Sequence, residues 1–332
     1  MAALAQTAAQ PRGDYASCSG CGLCLLVCPV WRREHDIGLT PLGRAKALQH
    51  GAGVADIAAS IQSCALCGAC EPVCPEEIGL VEMTLDLRRR LPLPAAMQYL
   101  HARMNEQAAR PPVPHPASAI ALLPGQALRE HPATLARAAA LLGGAGDIPT
   151  ADDDGADIAL ALEAGIPVSA PRLERFLQPL RALKKIVVAD GLLQRHLRQW
   201  LPRAQLTGLG VALSSLPRVR RALRASDLYV IEPRAYHADY QNLIKHYDAL
   251  RRTTACTLNL DLQHIAIPAT ARNLLQRLGL EPLDDAVQTR WILQGRNITR
   301  IVVEHPEDGD AFSKVSKLPV VHLAHLADDE TS

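Results

Sequence analysis

Apolar and polar positions fall into two regimes along this chain. Up to residue 91 they read as helices. LTPLGRAKALQHG predicts a helix with Thr40 as N-cap, Pro41 at its first position and Gly51 at its end. VADIAASIQS forms a second helical run, and LVEMTLDLRRRLP a third that stops before Pro92. Residues 92–118, entered through LPLP and closed by RPPVPHPAS, surround a short helical piece with the proline density of a semi-rigid connector.

From residue 119 the rhythm changes to short apolar runs separated by longer helical stretches. Candidate strands lie at 120–123, 185–190, 227–232, 257–262, 300–305 and 319–324. TLARAAALL, LLQRHLRQWL, YQNLIKHYDAL and ATARNLLQRLG are the helical stretches between several of them. This alternation predicts a mostly parallel, Rossmann-like sheet. LLGGAGDIP is glycine-rich but follows a helical run rather than a strand, so it reads as a turn and not as a nucleotide fingerprint. The predicted fold class is α+β. A disordered N-terminus (1–14) leads into a helical domain (15–91), the connector (92–118), an α/β domain (119–326) and a tail (327–332).

Composition narrows the function. The 332 residues are enough for two domains with a substantial core. A formal charge of +1, with 21% charged residues, shows no bias toward nucleic acid or membrane lipid. At 3%, aromatic residues are too few for base-stacking surfaces. No run approaches the roughly 18 uninterrupted apolar residues of a membrane helix, so no direct membrane insertion is expected. MAALAQTAAQPRGDYAS lacks the features of a signal peptide. The expected location is cytoplasmic, peripheral to the inner membrane only through a partner.

Eight of the nine cysteines lie in two runs, CSGCGLCLLVCPV and CALCGACEPVCP. Thiols three or four residues apart are awkward to join to one another, which argues against a disulfide framework and for metal. Zinc also takes C-x2-C pairs, but its modules rarely need a third and a fourth cysteine followed by proline, and here that pattern occurs twice.

The spacing C-x2-C-x2-C-x3-C-P resembles that of bacterial-type two-cluster ferredoxins, in which the fourth cysteine of each run serves the other cluster. The resemblance implies two [4Fe–4S] clusters, one on Cys18, Cys21, Cys24 and Cys74, the other on Cys64, Cys67, Cys70 and Cys28. Three thiolates on a tight turn cap three iron corners, while the fourth begins the next helix and points away. Pro29 and Pro75 redirect the backbone after each fourth cysteine. Ser19, Gly20, Gly22, Gly68 and Ala69 are small enough to let backbone N–H groups approach the sulfides. With eight thiolates satisfying two cubanes, His35 and His50 read as surface or packing residues. The long helical insert between the runs makes this a helical ferredoxin.

TPLGRAKAL is similar to the SPRGR helix start in iron–sulfur subunits of the glycolate-oxidase and heterodisulfide-reductase type, which fuse or pair a helical ferredoxin with a cysteine-rich CCG domain. The resemblance extends over 119–165, where IALLPGQ resembles the LLPGC strand and turn of the first CCG half. The departures are informative. Gln126 replaces the LLPGC cysteine, Ala156 and Asp157 fall where the paired cysteines would lie, and VVADGLL lacks the cysteine expected after its glycine. Only Cys256 remains outside the ferredoxin region, and it reads as a buried structural thiol.

The resemblance therefore implies a degenerate CCG domain without catalytic residues, in an electron-transfer subunit of a hetero-oligomeric complex. Such a subunit relays electrons from a flavin-containing dehydrogenase of 2-hydroxy acids, or another redox subunit, to a quinone or other carrier. Two alternatives stand beside it: a heterodisulfide-reductase-like subunit acting on a disulfide or sulfur carrier, and a ferredoxin-bearing scaffold. Four further groups read as surface features: the basic helix end at Arg88, Arg89 and Arg90; the acidic turn at Asp152, Asp153 and Asp154; the helix face with Tyr236, His237, Tyr240 and Tyr247; and the acidic loop EHPEDGD. No serine elbow, P-loop or HExxH motif is present.

Overall fold

The computed structural model describes residues 14–93, 95–111, 120–143, 150–262, 264–282 and 284–326. The expected disordered stretch 1–14, apart from Asp14, lies outside them, as do the tail 327–332 and most of the glycine-rich turn.

The N-terminal region is built from short helices, Leu23–Val27, Pro29–Glu34, Pro41–Gln49, Ala58–Ser63 and Leu80–Arg89. The Pro41 helix starts as its sequence predicts: Thr40 Oγ1 accepts from the Gly43 N–H at 3.2 Å, and proline occupies the first turn. In the connector, Tyr99–Ala109 is a helix that buries Leu100 and Met104 beside Ala161 and Ile166 of the α/β region.

Nine short strands follow among the described residues. β1 (Ile120–Leu123), β2 (Lys185–Val188) and β3 (Gln205–Gly208) form one parallel sheet in that order. β4 (Asp227–Val230) and β5 (Thr257–Leu258) join β8 (Arg300–Val303) and β9 (Val320–His322) in a second parallel sheet, ordered β5-β4-β8-β9. β6 (Leu260–Asp261) and β7 (Ile265–Ala266) make a small antiparallel pair.

The single sheet expected from sequence is thus two sheets, and they share one plan. β1 is flanked by β2 and by a parallel bridge from Leu122 to Thr150; β4 is flanked by β8 and by β5. The spacings also correspond, with strand starts at 120, 185 and 205 in one half and at 227, 300 and 320 in the other. Alternate strand residues from both sheets (Leu122, Val187, Tyr229, Val302) enter a common core. Their neighbours face separate layers, Leu123 and Val188 against Phe176 and Leu193, and Val230 and Val303 against Ile292 and Phe312. Burial on both faces explains why these strands are continuous apolar runs rather than alternating ones.

Two local departures have physical causes. The expected strand at 257–262 is interrupted at buried Asn259, whose amide takes the backbone groups of Ile231 and Ile267. β3, with the sequence QLTG, was not expected because it offers little apolar signal and its first residue is exposed. The acidic turn is not simply solvated either. Asp152 is exposed, but Asp153 and Asp157 both bind Arg172, and Asp154 pairs with Arg129 at 2.5 Å.

The two regions share their interior. Leu66, Val81 and Leu85 pack in one cluster with Phe176 and Leu193, and the Arg32 guanidinium lies 3.5 Å over the Trp291 ring. At the seam, Gly165 ends the helix Ala156–Ala164 with φ of 76°. A Cβ there would come within 2.5 Å of the Arg88 backbone. Among the described residues no helix is long and apolar enough to cross a membrane.

Candidate functional site

Local backbone rules shape the first cysteine loop. Asp14 caps the turn Tyr15–Ser17, and Gly20 and Gly22 take left-handed conformations, with φ of 85° and 78°. Cys28 closes the helix Leu23–Val27 and at the same time precedes the helix opened by Pro29. The Cys18 carbonyl accepts from Lys46 Nζ at 3.0 Å and from Gln49 Nε2 at 2.9 Å. This loop faces outward: Cys21 is exposed, and Leu23 and Leu26 are 42% and 55% exposed.

The second loop is held from all sides. Arg88 Nη2 donates to the Cys64 carbonyl at 2.6 Å and Arg234 Nη2 to the Ala65 carbonyl at 2.7 Å. His237 Nδ1 lies 2.7 Å from the Cys67 carbonyl, so this nitrogen carries the proton. Glu71 accepts from Arg195 at 2.5 Å and from the Val81 N–H at 2.9 Å. Gly68 has a φ of 75°, and a Cβ there would stand 2.9 Å from that of His237.

Two surface expectations are corrected here. Arg88 is buried, and it also donates to the Glu163 carbonyl at 2.6 Å; only Arg89 and Arg90 form the solvated helix end, near Asp86. His237, Tyr236 and Tyr247 are buried rather than on a helix surface: the short helix Pro233–Ala238 packs His237 on the cysteine loop and Tyr236 in the core, and Tyr247, on the following helix Tyr240–Thr254, lies in the core as well. Nor does Cys74 start a helix as Cys28 does. Pro75 leads into a turn with left-handed Glu77, and the next helix begins at Leu80.

Cys28, Cys64, Cys67 and Cys70 line one cavity together with Arg44, Leu66, Leu80 and Val81. Burial, followed by the charges of Cys28, Cys18, Cys21 and Cys74, pushes the Cys24 thiol up to about 11. Burial raises Cys67 to about 12 and Cys70 well above the usual thiol value. Burial would raise Cys64 as well, but Arg44 and Arg88 outweigh it and bring this thiol below its ordinary value. Burial thus favours the neutral thiols at Cys24, Cys67 and Cys70, and holding them as thiolates takes compensating positive charge.

Among the described residues no three Cys, His, Asp or Glu side chains converge on a single ion position. A cubane makes a different demand, one thiolate per iron corner, and its ligands stand correspondingly apart. Arg44 fits such a group: its side chain is buried beside the cavity, and its Nε–H has no acceptor. His35 and His50 are exposed, as expected.

A cleft opens beyond the carboxyl ends of the sheets, the usual place for ligands in parallel α/β folds. It brings together Gln126, Ala156 and Asp190 with Glu163, Arg277 and His305. A neighbouring cavity, lined by Gly191, Arg234 and Asp308, reaches Cys67. Gln126 and Ala156, two of the positions where the resemblance expects cysteines, thus line this cleft, and Gly191, which precedes a third, lines its neighbour. Gln126 is engaged with Glu130 at 2.9 Å.

Buried ionic groups support this region. Burial opposes the Glu163 charge, yet Arg234 and Arg277 hold its carboxyl far below the usual range. The segment expected as an acidic loop is instead a bend just after β8 and the start of the helix Pro306–Val315, with Glu304 and Asp308 buried. Glu304 accepts from Tyr229 and Tyr247, each at 2.6 Å. Sequence gave no sign of the roles of Arg88, Arg234, His237 and Glu163, since each depends on contacts far along the chain. Cys256 lies away from both loops, 1% exposed in the common core, with Thr254 Oγ1 donating to its sulfur at 3.1 Å.

The cysteine loops and their glycine turns define an iron–sulfur, ferredoxin-like region at the N-terminus, with electron transfer as its role. Residues 14–78 match the model of a family described as the 4Fe-4S dicluster domain. No curated protein and no solved structure shows a significant match to the chain.

Proposed function

We propose that this chain is an electron-transfer subunit carrying two [4Fe–4S] clusters with crossed ligation: Cys18, Cys21, Cys24 and Cys74 for one, and Cys64, Cys67, Cys70 and Cys28 for the other. The observation that carries the reading is the cavity where Cys28, the last cysteine of the first run, meets the three leading cysteines of the second beside the orphaned Arg44 N–H. When bound, the clusters supply one-electron donor and acceptor sites. The protein's own part is to hold the thiolates, to shield the second loop, and to leave the first open to a partner.

The partner in this reading is a flavin-containing dehydrogenase acting on a small 2-hydroxy acid, with a quinone or another carrier downstream. The α/β region is a degenerate CCG domain of two halves. Supporting observations are the repeated strand plan and the placing of Gln126 and Ala156 on one cleft and of Gly191 on its neighbour, with no cysteine at the positions where the CCG pattern expects one. With no such thiol, a heterodisulfide-reductase type of catalysis has no support here. Iron and sulfide analysis of anaerobically purified protein tests the cluster count. About eight irons per chain fits two cubanes, whereas about four would refute the reading and a clear excess would revive a catalytic second domain.

A further inference from the structure

The two cysteine loops differ in the charge that surrounds them. The first has Lys46 and Gln49 on the Cys18 carbonyl, and its Cys21 is exposed. The second is enclosed by guanidiniums. Arg44 is 1% exposed and lines the cavity. Arg88 and Arg234 end on the carbonyls of Cys64 and Ala65.

Acidic groups lie among these cations. Glu163 accepts from Arg234 at 2.8 and 3.1 Å and from Arg277 at 2.6 Å. Glu71 and Glu82 are both paired with Arg195. Asp190, Glu232, Glu307 and Asp308 also line the cavity shared by Arg234 and Cys67, so each charge acts on the loop according to its own sign and place. Adding an electron to a buried site makes it more negative, and nearby cations in a medium of low polarity favour that state.

From this arrangement we infer that the α/β region regulates the ferredoxin region electrostatically: Arg234 raises, and Glu163 lowers, the reduction potential of the Cys28, Cys64, Cys67 and Cys70 site, leaving the other site unaffected. The inference rests on the two-cluster reading above. It gives the second domain a task that needs no cysteine, because its side chains act through the loop backbone. Arg234 and Glu163 are positioning residues in this scheme, since neither is a ligand.

The test is an anaerobic titration with dithionite followed by EPR, in the wild-type chain and in Arg234→Met, Arg234→Lys and Glu163→Gln. Signals are assigned by their loss in Cys64→Ser. Arg234→Met is expected to disfavour reduction of the second site by about tenfold or more, as removal of one nearby charge implies. Glu163→Gln is expected to shift the same site in the opposite direction, and Arg234→Lys to stay near wild type. If Arg234→Met does not retain its clusters, Glu163→Gln decides alone, because glutamine keeps the shape and loses only the charge.

About eight irons per chain with unmoved potentials, shifts of the same sign in both charge variants, or equal shifts at both sites would overturn the inference alone. About four irons in the wild type would overturn the two-cluster reading, and the inference with it.

Discussion

Arg172 offers the sharpest test of how the α/β region is held together. Its guanidinium is fully buried and makes two bidentate pairs, with Asp157 at 2.8 and 2.6 Å and with Asp153 at 2.8 and 2.8 Å. Arg175 completes a neutral set of two cations and two anions. Replacing Arg172 with methionine fills much of its volume but leaves Asp157, 5% exposed, without its partner. Breaking a buried pair from one side typically costs about 3–5 kcal/mol. That shifts the folding equilibrium on the order of 100-fold or more, a large share of a total stability of roughly 5–15 kcal/mol.

Urea unfolding of the cluster-loaded protein, followed by circular dichroism, measures the loss. Arg172→Met/Asp157→Asn restores neutrality, because Arg175 still faces Asp153, and is expected to be more stable than Arg172→Met alone. A cost for Arg172→Met below about 1 kcal/mol, of the size expected for a surface pair, would refute the argument, as would strictly additive losses in the double variant.

Other expectations can be checked in the same preparations. Crossed ligation predicts that Cys28→Ser damages the cluster on Cys64, Cys67 and Cys70, and Cys74→Ser the cluster on Cys18, Cys21 and Cys24; EPR loss confined to the mutated run's own cluster would contradict it. Gly68→Ala should weaken the second site, since it combines an unfavourable φ with a contact near 2.9 Å, whereas Gly22→Ala, with its nearest atom at 3.9 Å, carries only the backbone cost of roughly 1–2 kcal/mol. Iron content of the two variants gives the comparison. His322 is held neutral, with Nε2 on the Glu304 carbonyl at 2.9 Å and Nδ1 accepting from the Ala324 N–H, and burial lowers it to about 3. Its folded value lies below its ordinary 6.5, so its contribution is present above that value and is lost as the pH falls. Between pH 7 and 5.5 this amounts to about 1 kcal/mol, a slope that urea melts of His322→Gln should lack.

The parts legible in the sequence were those whose chemistry is local. The cysteine spacing that marks an iron–sulfur region, the Thr40–Pro41 helix start and the apolar runs of β1, β2, β4 and β8 each depend on neighbours within a few residues. Harder to read were residues whose meaning lies elsewhere in the chain. Arg88 looked like a solvated helix end because its acceptors, Cys64 and Glu163, are distant in sequence, and His237 resembled a surface residue until its helix met the Cys67 carbonyl. The division into two sheets was equally hidden, since apolar strands of similar length carry no mark of which sheet they join. Hydrophobic periodicity reports that a face is buried, but not against what.

The glycine at residue 165 has a consequence for how such a chain can change. Its missing side chain lets the end of one helix rest directly on the backbone of another, with no flexible group between them to absorb a difference in shape. A ferredoxin region taken from a relative could be grafted here only with a matching seam. The two parts are free to diverge in chemistry, while their contact surface has to be inherited as one piece.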